Sequence, residues 1–395
     1  MPRPAAAEAR RVGAARSLAL RALALLALLG ALAAAPGASR ALADTGNAAA
    51  RAVTSYEAMQ RNYYLPAQHL YRGAPGRFSY LWPFSQALSA TVGVAVLAPT
   101  YRAAIRDRLT GLADYWTSSE SPPSYSSYLG GSGASYYDDN EWVGLQLVRI
   151  YRLTGNRRAL ARAQEILRLA IYGWDLDTSH ACPGGVWWTQ DPNFDTRNTV
   201  SNAPAAELGL ELFELTGRRS FLGWGERFYT WVRGCLLQQG GLFSDNVGLE
   251  GTIDPTVWIY NQGTMLGAAT LLYRITRNPT YLVQAQDGAA ATLAYFEPLR
   301  LQSQPSFFIS IFLENLRMFE ATDSAISFRP ALEQYAQWAW QSARDPSTGL
   351  FDFHRGEPLL DQASMTQIYA TLAAGEGLFL PPRHAHQARQ AAHVG

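Results

Sequence analysis

A layout that recurs about every sixty residues constrains this chain more than any single residue does. Tyr151-Arg152-Leu153-Thr154-Gly155-Asn156, Phe213-Glu214-Leu215-Thr216-Gly217-Arg218 and Tyr273-Arg274-Ile275-Thr276-Arg277-Asn278 are three copies of one junction. Each closes an apolar helical pattern and opens a more polar one, as a tight helix–helix turn must. Met318-Phe319-Glu320-Ala321-Thr322-Asp323 is a fourth, looser copy. The helix before each turn is apolar on nearly all sides, as in Val143 to Ile150 and Ala205 to Leu215. The helix after it is amphipathic, as in Ala159 to Ala170. All-round apolar helices belong inside and amphipathic ones outside. Counting back from each turn, and extending the layout to both ends, predicts six inner helices starting near Trp82, Asp139, Asn202, Asn261, Phe307 and Asp361.

Connection lengths then close the ring. The turns after inner helices are short. The segments before them are long and rich in Gly, Pro, Ser and aromatic residues: Ser118 to Tyr137, Asp177 to Val200 and Gln239 to Tyr260. All the long loops fall at one end of the hairpins. An open α-solenoid usually keeps its loops short, so the prediction is an all-α (α/α)6 barrel of six helical hairpins over 44–380. Long loops on a rigid scaffold are where function concentrates.

One of those loops delivers two adjacent carboxyls to a helix mouth, in Tyr136-Tyr137-Asp138-Asp139-Asn140-Glu141-Trp142. Like charges a few ångströms apart push their pKa values apart, so one can ionise while the other keeps its proton. That is the division of labour required by acid/base work on a sugar. Asp is also a common N-cap, and a capping role stands beside the catalytic one. Further polar and aromatic residues reach the same face: Trp82, Tyr137, Trp187, Trp188, Asn198, Asn202, Tyr260, Asn261 and Gln262. Amides and phenols can hydrogen-bond hydroxyl groups, and indoles can stack on a pyranose. Any one of these residues could instead cap its helix or fill the core. Their convergence on one face makes them candidate substrate-binding residues.

Composition narrows the chemistry. The 395 residues are 48% hydrophobic with a net charge of +1, which gives no reason to expect nucleic acid as a partner. All 33 basic residues are arginine, so neither a Schiff-base lysine nor a P-loop lysine exists. No metalloprotease His pair, dinucleotide fingerprint or nucleophile elbow appears, and no cofactor or metal is expected. Arg3, Arg10, Arg11 and Arg16, an apolar run from Ala22 to Ala35, and Ala41-Leu42-Ala43 before Asp44 read as a signal peptide over 1–43. The mature chain is then exported, with no stable membrane anchor. In an oxidising compartment Cys182 and Cys235 could pair; two free buried thiols are the alternative. Residues 381–395, with His384 and His386, read as a disordered tail. A monomer is expected.

The doublet, together with Gly185-Val186-Trp187-Trp188, Ser201-Asn202-Ala203-Pro204 and Trp258-Ile259-Tyr260-Asn261-Gln262-Gly263, resembles glycoside hydrolase family 76. The motifs agree in order and spacing over roughly Ala50 to Leu380. The resemblance implies an (α/α)6 barrel acting on α-1,6-linked mannan or mannooligosaccharide with retention of configuration. It makes Asp138 the nucleophile and Asp139 the general acid/base. Fungal members act as transglycosylases and carry a C-terminal hydrophobic anchor; this tail has none, which favours hydrolysis. One stretch departs from the family pattern. Ile309-Ser310 replaces a Lys-Gly pair, and Glu314 stands where Arg is common. The alternatives are a non-catalytic mannan-binding barrel and another (α/α)6 enzyme, such as an unsaturated-glucuronyl hydrolase. The latter would want a basic pocket, for which Arg197 is the obvious loop candidate.

Overall fold

The structure is a computed structural model. It describes residues 36–119, 121–323 and 329–375, the side chains of 36–46 excepted. The chain divides into two units at Asn47, and the barrel belongs to the second, Ala48–Gly395. Most of the proposed signal segment, residues 1–35, and the proposed tail, 381–395, lie outside the described residues. The expected cleavage motif falls inside the first helix, α1 (Pro36–Tyr63). No helix among the described residues is long and apolar enough to cross a membrane.

Six inner helices form the ring: α2 (Leu81–Leu97), α4 (Tyr137–Thr154), α6 (Thr199–Thr216), α8 (Ile259–Thr276), α11 (Ser306–Glu320) and α13 (Pro358–Ala373). Each touches the next, and α13 packs against α2, so the ring closes. Every inner helix starts within three residues of its predicted position. Outside them lie α1, α3 (Arg102–Leu112), α5 (Arg157–Tyr172), α7 (Arg219–Leu236), α9 (Pro279–Tyr295) and α12 (Arg329–Ser342). A short helix, α10 (Pro298–Ser303), interrupts the connection to α11. The fold is an (α/α)6 barrel.

Local chemistry explains why the hairpins repeat. Thr154, Thr216 and Thr276 each donate their hydroxyl to the carbonyl four residues back, at Ile150, Leu212 and Leu272. Each also accepts the backbone N–H two residues on. The residue between is left-handed: Gly155 at φ 73°, Gly217 at φ 69° and Arg277 at φ 61°. This is a helix C-terminus that reverses the chain at once. Tight packing of the ring fixes glycine elsewhere. A Cβ on Gly263 of α8 would stand 2.7 Å from the Phe312 Cα of α11.

A second repeated device works at the opposite end. Asn140 accepts the Tyr125 N–H and donates to the Tyr125 and Tyr136 carbonyls. Asn202 does the same with Val186 and Asn198, and Gln262 with Phe243 and Trp258. Gln362 accepts the Phe351 N–H and donates to the Ser55 carbonyl of α1. On four of the six inner helices, one buried amide thus replaces the water that the neighbouring loop's backbone has lost. Long loops are thereby held in one conformation above the ring.

Candidate active site

The inner-helix mouths open into a cleft of about 490 Å³. The residue two past the N-cap points into it from four helices: Trp82, Asp138, Val200 and Tyr260. Phe308 enters from α11, and the loops add Trp188, Phe194, Thr196, Asn198, Asp245 and Asn246. Asp139 and Trp142 complete the wall beside Asp138. The aromatic residues brace one another. Trp82 lies 5.9 Å from Trp142 and 6.2 Å from Phe307, Trp188 meets Tyr136 at 5.1 Å, and Tyr260 stacks on Phe308 at 3.9 Å.

The two aspartates sit in different surroundings. Asp138 Oδ1 accepts the Asp139 N–H at 3.0 Å, and its Oδ2 accepts the Trp188 indole N–H at 3.4 Å. Burial pushes its pKa up, these donors pull against that rise, and the charge of Asp245 adds to it. Asp139 is pushed up well beyond the usual carboxylate range by burial and then by the charge of Asp138. Donors favour an ionised carboxylate, and a like-charged neighbour disfavours one. Asp138 is therefore the member that ionises first, and Asp139 the one that holds the proton. The capping role survives in one detail: Asp138 satisfies an N–H of the first turn of α4, whose N-cap Tyr136 makes no side-chain cap.

Other candidates separate into cleft residues and scaffolding. Trp82, Trp188, Asn198 and Tyr260 line the cleft with the doublet. Asn198 is an N-cap that does not cap, and its buried Oδ1 has no hydrogen-bond partner. Asn261 is fully buried and donates to Asp245 Oδ1 at 3.3 Å, so it touches the cleft through that carboxylate. Asn202 and Gln262 are used up in the loop clamps. Tyr137 and Trp187 line a separate groove. Asp245 was missing from the residues singled out in sequence. It lies in the Gly240–Asn246 loop, and its other oxygen accepts from the Asn246 amide at 3.1 Å. The sign of its presence was a lone carboxylate in a long loop on the correct face. Trp142, one helical turn beyond Asp138, was legible only as core.

The cleft lining carries three carboxylates and no basic side chain. Arg197 lies fully buried behind the wall. Its guanidinium is taken by Asp175 at 2.9 Å and by the carbonyls of Ala181, Cys182, Gly184 and Gly248. A disulfide between Cys182 and Cys235 ties the same loop to α7, with Cα atoms 6.0 Å apart. The departing stretch is scaffolding too. Ile309 and Ser310 are buried, and Glu314 pairs with Arg149 of α4. Among the described residues, no group of three or more His, Cys, Asp or Glu could hold a metal.

Residues 47–385 match glycosyl hydrolase family 76. The chain belongs to this family. Mannan endo-1,6-alpha-mannosidase DCW1 of Saccharomyces cerevisiae is 27% identical over 143 residues, which are 34% of this chain and 31% of that protein. Its namesake in Candida albicans is 32% identical over 126 residues, 30% of this chain and 27% of that protein. The matched stretch thus spans about a third of these relatives' length or less. Whole folds agree more widely. The family 76 mannosidase Bt3792 of Bacteroides thetaiotaomicron superposes with a TM-score of 0.75 at 24% identity, over 83% of this chain and 98% of that one. An inactive α-1,6-mannanase variant from a Salegentibacter species, solved with α-1,6-mannotriose, superposes with a TM-score of 0.69 at 21% identity, over 82% and 99%. In that variant two adjacent aspartates are changed to asparagine.

Proposed function

We propose that this family 76 chain is an exported, retaining hydrolase of α-1,6-mannosidic linkages. The observation that carries the reading is the asymmetric pair. Asp138 accepts two N–H groups in the cleft, and Asp139, held protonated by burial and by its neighbour's charge, stands beside it. The Asp138 carboxylate attacks the anomeric carbon as the glycosidic oxygen departs with the Asp139 proton. A covalent mannosyl-enzyme results. Asp139, now a carboxylate, takes a proton from water, whose oxygen displaces Asp138 and regenerates both groups. Tyr260, a phenol held protonated by burial and by the charges of Asp245 and Asp138, is a donor to substrate oxygens. Trp82 and Trp188 offer faces for the sugar ring.

The related mannan endo-1,6-alpha-mannosidases and the mannotriose-bound neighbour supply the substrate class. A uronic acid fits the cleft poorly, because its lining has carboxylates and no cation, and Arg197 is already engaged. A barrel that only bound mannan would have no need of the doublet. Export is supported by the sequence of 1–43 and by the disulfide, which suits an oxidising compartment. The mass of the secreted chain, starting near Asp44, checks this. The main test is a digest of linear α-1,6-mannan followed by NMR of the first-formed reducing end. An α-anomer is expected at the outset. Initial β-product overturns retention, and no cleavage overturns the activity.

A further inference from the structure

Below the cleft, three inner helices meet at one point. Val200 of α6, Tyr260 of α8 and Phe308 of α11 line the cleft, and Glu207, Gly267 and Asn315 follow them at the same interval along the same helices. That interval of seven residues is nearly two helical turns, so the second trio shares the face of the first and lies about 10 Å deeper. Gly267 sits in mid-helix, where glycine is unfavourable and no positive φ calls for it. What it provides is room. A Cβ there would stand 2.1 Å from Glu207 Oε1 and 2.0 Å from Asn315 Oδ1. The side chains of α6 and α11, which flank α8, therefore meet across its inner face.

The two oxygens face each other at about 4 Å or less, and a carboxylate oxygen and an amide oxygen are both acceptors. Glu207 is buried, and its Oε1 has no hydrogen-bond partner. The Asn315 side chain donates its N–H to the Ile311 carbonyl at 3.3 Å, which turns its own oxygen towards Glu207. Two buried acceptors satisfy each other only with a hydrogen between them. The charged groups that face Glu207 are Glu211 one turn along α6, Arg149 of α4 and Glu314 of α11. Of these Arg149 alone favours an anion, and it is paired with Glu314. Burial, followed by the charge of Glu211, outweighs it and pushes the Glu207 carboxyl well above the usual range.

We propose that Glu207 keeps a proton in the folded barrel and donates it to Asn315 Oδ1, so that a carboxyl–amide latch joins α6 to α11 across α8 beneath the cleft. Ionisation of Glu207 leaves two acceptors face to face and opens the latch. The fold holds this proton and the unfolded chain releases it. The latch's contribution is thus whole below the unfolded pKa, about 4.3, and is lost as pH rises towards the folded value.

Glu207→Gln tests the latch, because an amide N–H can hold Asn315 Oδ1 at every pH. Urea titrations of both proteins are run from pH 5 to pH 8. The folding constant of the variant should gain on that of wild type by up to about tenfold per pH unit, the signature of one proton. A constant ratio means that Glu207 is ionised in the fold, with the Asn315 amide reversed or a water between the oxygens, and overturns the proposal. Sodium, potassium or calcium chloride that stabilises wild type and not the variant, at matched ionic strength, puts a cation in the proton's place and overturns it too. Infrared spectra of protein isotope-labelled at its glutamate carboxyl carbons read the proton directly. They are taken on Glu141→Gln protein, so that the band reports Glu207. A protonated-acid band at pH 7 is expected, and its absence sinks the latch even if Glu207→Gln fails to fold. Adding Asn315→Leu removes the acceptor and should move that band to higher frequency. An unmoved band means that the proton goes elsewhere and that Asn315 is not its partner.

Discussion

The two ends of the inner helices hold similar acids in opposite circumstances. At the mouths, Asp138, Asp139 and Asp245 face a cleft with no cation in its lining, and Glu141 is fully buried with neither carboxyl oxygen hydrogen-bonded. At the turns, carboxylates meet guanidinium groups. Arg152 lies 3.5 Å from Glu211 and 3.3 Å from Glu214, Arg274 lies 3.5 Å from Glu214, and Arg149 pairs with Glu314. Pairing neutralises charge and fixes structure. Leaving carboxyls unpaired in a partly dry cleft raises their pKa values and keeps protons available for transfer. One end of the barrel is organised for chemistry and the other for holding the ring.

Breaking the mouth should have the largest effect, and it should fall on rate. Asp138→Ala is expected to lower turnover on order of 10⁴-fold or more on every substrate, because no covalent intermediate can form. Azide should restore some turnover of an activated mannoside with inverted product. Asp139→Ala should fall roughly 10²- to 10⁴-fold on mannan and less on an aryl mannoside, whose departure needs little acid. Melting temperatures should barely move, since the lost cap is worth only about 1 kcal/mol. Unchanged rates with lowered melting temperatures in both variants would reduce the doublet to a cap. The proposed mechanism requires Asp138 ionised and Asp139 protonated. Since both are raised, the acid and alkaline limbs of the kcat/KM profile should both lie above the ordinary carboxylate range.

Glu141 sharpens the contrast through stability. Its pKa is raised well above normal by burial and by the charge of Asp138, so the folded state holds a proton that the unfolded chain releases. The penalty is absent below the unfolded pKa, near 4.3, and grows as pH rises towards the folded value. Its slope is about 1.4 kcal/mol per pH unit for one proton. Glu141→Gln removes the proton and keeps the shape. Its melting temperature should therefore gain on wild type steadily between pH 5 and pH 8. A constant difference across that range would mean that Glu141 is ionised in the fold.

At the turn end, Arg149→Ala should cost stability and leave rate per folded molecule intact. The pair is partly exposed, with side-chain accessibilities of 31% and 17%. The cost should then fall between surface and buried pairs, at about 2 kcal/mol. Loss of kcat/KM without loss of melting temperature would show that the two ends are coupled.

The ring was legible because its signals are periodic: apolar inner helices, threonine turns, and long loops on one face. The doublet's place at a helix mouth on the long-loop face was legible from the repeat, while adjacency alone left capping beside catalysis. Residue roles within the mouth were harder to read. Asn198 and Asn202 look alike in sequence, and position alone separates them. The N-cap Asn198 faces the cleft, while four residues on, Asn202 turns back to clamp Val186. Asn140, next to the aspartate doublet, is the same clamp on α4. The role of Asp245 was not legible because its partner Asn261 comes from the next helix, a pairing no local pattern announces. Glu314 stood out in sequence only as a departure from the family pattern; the fold brings Arg149, 165 residues away, to meet it.

The smallest expected effect concerns the turns themselves. Gly155, Gly217 and Arg277 hold the same left-handed position in three copies of one junction, but only Arg277 carries a side chain. A left-handed backbone costs an L-residue about 1–2 kcal/mol. Glycine avoids that cost and gives back about 0.4–1 kcal/mol through the greater freedom of the unfolded chain. Arg277→Gly should then stabilise the barrel by several tenths of a kcal/mol up to about 1 kcal/mol. The Arg277 guanidinium lies 6.0 Å from the Tyr273 ring centre, at the outer limit of a cation–π contact, and sets little against that gain. Gly155→Ala is the mirror test. No atom lies within 4 Å of the added Cβ, so the change isolates backbone strain and should destabilise by a similar amount. Denaturant midpoints for the two variants should move in opposite directions with unchanged slopes. Movement in the same direction would mean that side-chain contacts, and not the left-handed backbone, set the stability of these turns.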